Sequence, residues 1–220
     1  WPTWLNFFAP MPSQPAMTSA DTSPDWAFVV SELIQARQTV LPKRLMDPGP
    51  DAAQTQAILA AAAAAPDHMQ LLPWRFILVP AGQRATLAEV FARALSERDP
   101  QATPEQLAQA REKAFRAPLL MLAVVDGARG DPEVDLNERI LSAGCAVQNM
   151  LLMATALGFG SALTSGKALK SDTLRACFGL GADEQALCFV SVGTVHSSRP
   201  ARVRPTVADY VNTLGSGTTP

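Results

Sequence analysis

Histidine, cysteine and runs of like charge are all scarce in this chain, and each shortage removes a class of function. The 220 residues hold two histidines, His68 and His196, so a histidine-rich metal centre is excluded. Three cysteines, Cys145, Cys177 and Cys188, are too few and too scattered for a disulfide framework or a thiolate zinc site. They read as small buried hydrophobes in a reducing cytoplasm. The net charge is −2 and no long basic run occurs, which argues against nucleic acid as a partner. No stretch is apolar over the ~20 residues that a membrane span needs. The best, residues 140–157, is interrupted by Ser142, Gln148, Asn149 and Thr155. The start of the chain has neither the cationic nor the apolar segment of a secretory signal. Residues 1–22 carry Trp1, Trp4, Phe7 and Phe8 and then a Pro/Ser/Thr/Ala stretch. They read as a disordered tail outside the domain, an over-extended reading frame with Met17 as the native start, or else as an aromatic docking segment.

What is present is a chain with 48% hydrophobic and 17% charged residues, enough at this length for one domain, residues 23–220, with a sizeable core. Ser23-Pro24-Asp25 opens a first helix that carries Trp26, Val29, Val30, Leu33 and Ile34 at helical spacing and ends near Arg37. After an irregular Pro-rich loop, Asp51 caps a helix that runs to Ala65 and stops at Pro66. A strand over 75–79 and a helix over 83–98 follow. Thr103-Pro104-Glu105-Gln106 is a capping box for a helix to 115, and a continuous apolar strand spans 119–125. The longest helix is predicted from Asp131-Pro132 to Leu157, closed by Gly158, with a second half apolar nearly all round and therefore buried on every side. A strand at 160–163, a helix at 171–178 and a strand at 186–192 complete the chain. Strands and helices do not alternate one for one, so the class is α+β.

Four loops carry groups suited to chemistry. Arg37-Gln38-Thr39, with Lys43 and Arg44 downstream, offers cations to a phosphate or serves a helix C-terminus. Asp67, His68 and Gln70 lie between the alanine helix and the rigid Pro73-Trp74. The segment 158–167 fails as a phosphate loop. Five residues separate Gly160 from Gly166 where that motif has four, and Ala168 stands in place of Ser or Thr. Its small residues suggest close backbone approach to something flat. Arg202 and Arg204 alternate onto one face of an extended segment, where paired guanidiniums suit a phosphate dianion.

Taken in order, these segments resemble the nitroreductase family, closest to its small single-domain proteobacterial branch. The resemblance covers residues 26–212. Arg37-Gln38-Thr39 is similar to the family's Arg-Arg-Ser/Thr start. Ala65-Pro66-Asp67-His68 leads to Pro73-Trp74-Arg75-Phe76, then come Ser142-Ala143-Gly144-Cys145-Ala146-Val147-Gln148-Asn149, Gly158-Phe159-Gly160 and the late arginines. The resemblance implies a central mixed sheet flanked by helices, a long buried helix at a homodimer interface, and FMN bound there. Arg37, Gln38 and Thr39 would contact flavin phosphate and ring, and Arg202 and Arg204 the phosphate. His68, Asp67 and Gln70 would reach the partner's flavin, and Leu163, Thr164 and Ser165 would lie against the isoalloxazine. It further implies a cytoplasmic enzyme in which NADPH or NADH gives hydride to flavin N5, leaves, and is replaced by a nitroaromatic, quinone or similar acceptor. That chemistry needs no catalytic side chain, and no Gly-x-Ser-x-Gly or Ser-His-Asp set is present. A flavin-storage protein and a same-fold enzyme of dehalogenation or flavin breakdown are the alternatives. Gln38 stands where a second Arg is common. Leu163-Thr164 stands where the branch often has Trp-Arg, which predicts a less bulky and less cationic pocket over the flavin.

Overall fold

The computed structural model describes residues 25–196 and 203–214. The expectations for residues 1–22 lie outside them, as does the part of the first capping signal at Ser23 and Pro24. Asp25 caps α1 (Trp26–Ala36), its carboxylate accepting from Phe28 N–H at 3.2 Å. β1 (Leu45–Met46) follows. Then α2 (Ala52–Ala61) starts at a capping box of Asp51 and Gln54 and tightens into a 3₁₀ turn before Pro66. β2 (Trp74–Leu78), α3 (Arg84–Arg98) and α4 (Pro104–Glu112) come next, α4 behind the Thr103–Gln106 box. β3 (Leu119–Asp126), α5 (Leu136–Ala156), β4 (Gly160–Thr164), α6 (Asp172–Cys177) and β5 (Glu184–Val195) complete the order.

β5 is the spine of a five-stranded sheet. It pairs with β3 and with β4 and takes β1 at its far end, while β2 lies on the outer side of β3. Every strand pair is antiparallel. Among the described residues the expected mixed character is limited to one isolated parallel bridge, Thr39 to Ser161. β3 is apolar throughout because both its faces are covered. Met121, Ala123 and Val125 pack with α2 and α5, whereas Leu120, Leu122 and Val124 pack with α3 and α6. Burying each of the larger of these side chains contributes about 1.5–3 kcal/mol.

Two features of α5 differ from expectation. Its N-cap is Asp135, which accepts from Asn137 N–H at 2.7 Å, and not Asp131. Asp131 instead forms a turn with Glu133, and its carbonyl accepts from Arg139 at 2.6 Å. Arg139, 1% exposed, also donates to the carbonyls of Val134 and Arg129, so a charged group in the core is answered by backbone dipoles that hold the loop out of helical register. Nor is α5 covered on every side. Ala143, Ala146, Met150 and Ala154 are buried, but Leu141 is 69% exposed and Gly144 and Gln148 are open. The helix ends as predicted: Gly158, at φ +84°, lets Phe159 N–H reach Ala154 O and its own N–H reach Thr155 O.

The cysteines carry no disulfide, but only part of their expected burial holds: Cys145 and Cys188 are half-buried, while Cys177 is exposed at the end of α6. Burial pushes the Cys188 thiol up to about 11, which leaves it protonated and unreactive. Among the described residues no helix is long and apolar enough to cross a membrane.

Candidate functional site

Three segments far apart in sequence meet at the start of β4. Val40 N–H donates to Ser161 O at 2.9 Å, which lays residues 37–40 beside the strand. Arg204 Nη2 then donates to Arg37 O at 2.9 Å and brings the late basic segment to the same place. Arg202, its expected companion, lies outside the described residues. The Arg37 guanidinium is held below its usual range, first by burial and then by the charge of Arg204. Ser161, 2% exposed, has a buried hydroxyl with no hydrogen-bond partner among the described residues. Arg37 and Arg204 lie close enough for one charge to act on the other, and beyond the Arg37 carbonyl no acceptor for them is found among the described residues; paired guanidiniums of this kind suit a phosphate monoester. Gln38 and Thr39 line a cavity of about 290 Å³ here, closed by Thr155 and Gly158 from the end of α5. Gly160 fits the expectation of close approach, but its neighbours are the side chains of Val195 and Leu45 and not a ligand.

At the other end of β4, Leu163 is 44% exposed and Thr164 and Ser165 are open. Thr164 and Ser165 form one wall of a larger cavity, about 380 Å³. Its floor is Leu120 and Phe189, with Phe91 and Leu95 of α3 beside them. Its rim holds four cations among the described residues: Arg98, Lys113, Arg116 and Lys167. Loop-by-loop reading missed these because three of them sit at or just past helix ends, where charge normally means solvation. A signal was there in Ala117, a non-glycine residue at φ +64° right after Arg116, since strained backbone of this kind clusters at binding sites.

Asp67, His68 and Gln70 are not part of this assembly. His68 Nδ1 lies 2.7 Å from Glu138 Oε2, in the first turn of α5. Asp67 turns inward and accepts from Leu72 N–H at 2.7 Å, which makes it a staple of its own loop. Met69, Gln70 and Leu72 all have positive φ, and Met69 is 59% exposed. This strained, apolar, exposed loop is secured to α5 by Ser142 Oγ donating to Pro66 O at 2.8 Å. Gln38 and Thr39 sit by the last turn of α5 and His68 by its first. With 21 residues between these ends, the separation along the helix is about 30 Å. One chain does not bring the two groups together.

No cluster of His, Cys, Asp and Glu able to hold a metal exists among the described residues. Residues 34–194 match the nitroreductase family. "Putative NAD(P)H nitroreductase YdjA" of Escherichia coli (strain K12) is 35% identical over 151 residues, 69% of this chain and 81% of that protein. The nitroreductase-like family protein from Bacillus cereus superposes with a TM-score of 0.70 at 17% identity, covering 90% of this chain and 98% of that one. The nitroreductase from Bacteroides fragilis, solved with bound FMN, gives 0.64 at 22% identity, covering 84% and 97%. At such identities the two structures speak for the fold. The family match, which runs from within α1 almost to the end of β5, and the 35% identical relative go further: this chain belongs to the nitroreductase family.

Proposed function

We propose that the protein is a homodimeric, FMN-dependent NAD(P)H oxidoreductase of the cytoplasm. The observation that carries this reading is the meeting of Arg37 and Arg204 beside Ser161 of β4. Arg37 and Arg204 would hold the FMN phosphate. Thr164 lies three residues further along β4, about 10 Å at strand rise, which suits a ribityl chain leading to a ring set against Leu163, Thr164 and Ser165. Bound FMN supplies the redox chemistry, accepting hydride from NAD(P)H and passing electrons in a second half-reaction to a nitroaromatic, quinone or similar acceptor. The chain's own part is to bind and orient. Gln38 and Thr39 would lie beside the phosphate, and backbone N–H groups near residues 164–166 would stabilise the negative charge that grows on reduction.

The dimer is favoured by unspent apolar surface. α1 buries none of its residues, and Trp26 and Phe28 are 66% and 63% exposed. On α5, Leu141, Gly144 and Gln148 form an open stripe, and a methyl group on Gly144 would touch nothing within 4 Å. Antiparallel pairing of two α5 helices would carry His68 and Gln70 of each chain toward the other's β4, across the 30 Å that a single chain leaves open.

The test is an absorption spectrum after FMN is added and excess removed by gel filtration. Flavin near one per chain, lost in Arg37→Ala and Arg204→Ala, is the expected result, together with NADPH-dependent reduction of a quinone. Colourless protein would refute the reading. Bound flavin with no turnover would leave a flavin-binding protein and no enzyme.

A further inference from the structure

We propose that the 380 Å³ cavity beside Thr164 is the acceptor subsite and selects flat acceptors that carry a negative charge; this rests on the flavin reading above. The phosphate is already accounted for at the opposite end of β4, so the four cations of this rim have no role in holding it. They arrive from three directions: Arg98 from the last turn of α3, Lys113 and Arg116 from the turn after α4, and Lys167 from the loop after β4. Among the described residues only Arg116 has a carboxylate partner, Glu112, at 3.3 Å. Arg98, Lys113 and Lys167 have no ion pair among the described residues. Like charges gathered around a recess repel each other, and low-dielectric walls focus their field inward. Here the walls are apolar. Phe91 and Phe189 meet edge to face at 5.5 Å, and Leu95 and Leu120 extend the surface. An apolar slot with a cationic mouth matches an aromatic ring bearing a carboxylate or similar anion. The nicotinamide dinucleotide's phosphates are the other source of negative charge, and the experiment separates the two.

Acceptor kcat/KM is measured for 4-nitrobenzoate and 4-nitrobenzamide, a charged and a neutral ring of the same shape. The proteins are wild type, Arg98→Gln, Lys113→Gln, Lys167→Gln, the triple variant, and Lys113→Arg. Taking the benzoate-to-benzamide ratio across variants cancels the intrinsic reactivity of each compound. The ratio is expected to fall about tenfold in the triple variant and to survive in Lys113→Arg. That is the size of effect expected when partly desolvated ion pairs are lost. A ratio that is unchanged across the series overturns the proposal. So does a rise in the KM for NADPH with no change in the ratio, which would assign the rim to the dinucleotide. The flavin spectrum of each protein is recorded in parallel. Flavin present with a flat ratio refutes this inference alone, while absence of flavin from wild type refutes the reading beneath it.

Discussion

Replacing Arg139 by Met should be among the most damaging single changes in the molecule. The guanidinium is 1% exposed, and three of its nitrogens donate to the carbonyls of Val134, Arg129 and Asp131 at 3.0, 2.5 and 2.6 Å. A hydrogen bond to a charged group contributes about 1.5–3 kcal/mol, and a buried carbonyl left alone costs about 1–3 kcal/mol. The carbonyls of a loop can turn partly to solvent, so the sum is not reached, and a loss of about 4 kcal/mol is expected. With a urea m-value of about 2 kcal/mol/M, the unfolding midpoint should fall by about 2 M at fixed protein concentration. Arg139→Lys should recover less than half, because an ammonium cannot span three divergent acceptors. A second readout concerns the His68 loop. Arg139 fixes the residues on either side of Gly130, and a methyl group on Gly130 would lie 2.6 Å from Leu71 Cδ2. Hydrogen exchange over residues 66–73 should therefore quicken in the Met variant. A midpoint shift below about 0.5 M, which at that m-value is about 1 kcal/mol, would refute the argument. Full rescue by Lys would do the same.

Other outcomes follow from the geometry. Ser161→Ala removes a buried hydroxyl that has no partner among the described residues, so urea unfolding of the flavin-free protein should show unchanged or slightly higher stability. The Glu184 carboxyl is lowered to about 2, first by its hydrogen bond from Arg75 and also by Gly181 N–H. Its folded value is below its unfolded one, so its contribution is complete above about pH 4.5 and is lost as pH falls toward 2. Glu184→Gln should cost about 1–2 kcal/mol at pH 7, discounted for the half-exposed Arg75, and the variant's deficit should shrink in acid melts. Gly158→Ala forces a side chain into left-handed backbone and should cost about 1 kcal/mol in thermal melts. Trp26→Glu should shift the light-scattering mass toward a single chain at micromolar concentration; an unchanged mass would exclude α1 from the interface.

Most elements were legible because their ends are chemically marked. Asp51, Thr103 and Gly158 each announce a boundary, and the sheet-covered β3 reads as one apolar run. β1 was not visible, since two residues between prolines form a strand only by pairing with Thr194 and Val195 nearly 150 positions away. Asp131 looked like a cap because Asp-Pro usually is one, and a buried arginine three residues beyond the true start at Leu136 overruled it. In the candidate site, Arg37 stands out by its charge at a helix end, whereas Thr164 and Ser165 were named only through the family resemblance. The cations of the larger cavity could not be picked out, since only the packing of α3 against α4 turns three helix-end charges toward a common recess.

The length of α5 has a genetic consequence. If Arg37 serves the site of its own chain while His68 serves the neighbour's, a chain defective at Arg37 and one defective at His68 are not equivalent failures. Co-expressed, they should form mixed pairs in which one site inherits both lesions and the other inherits neither. Two inactive alleles would then restore activity to each other.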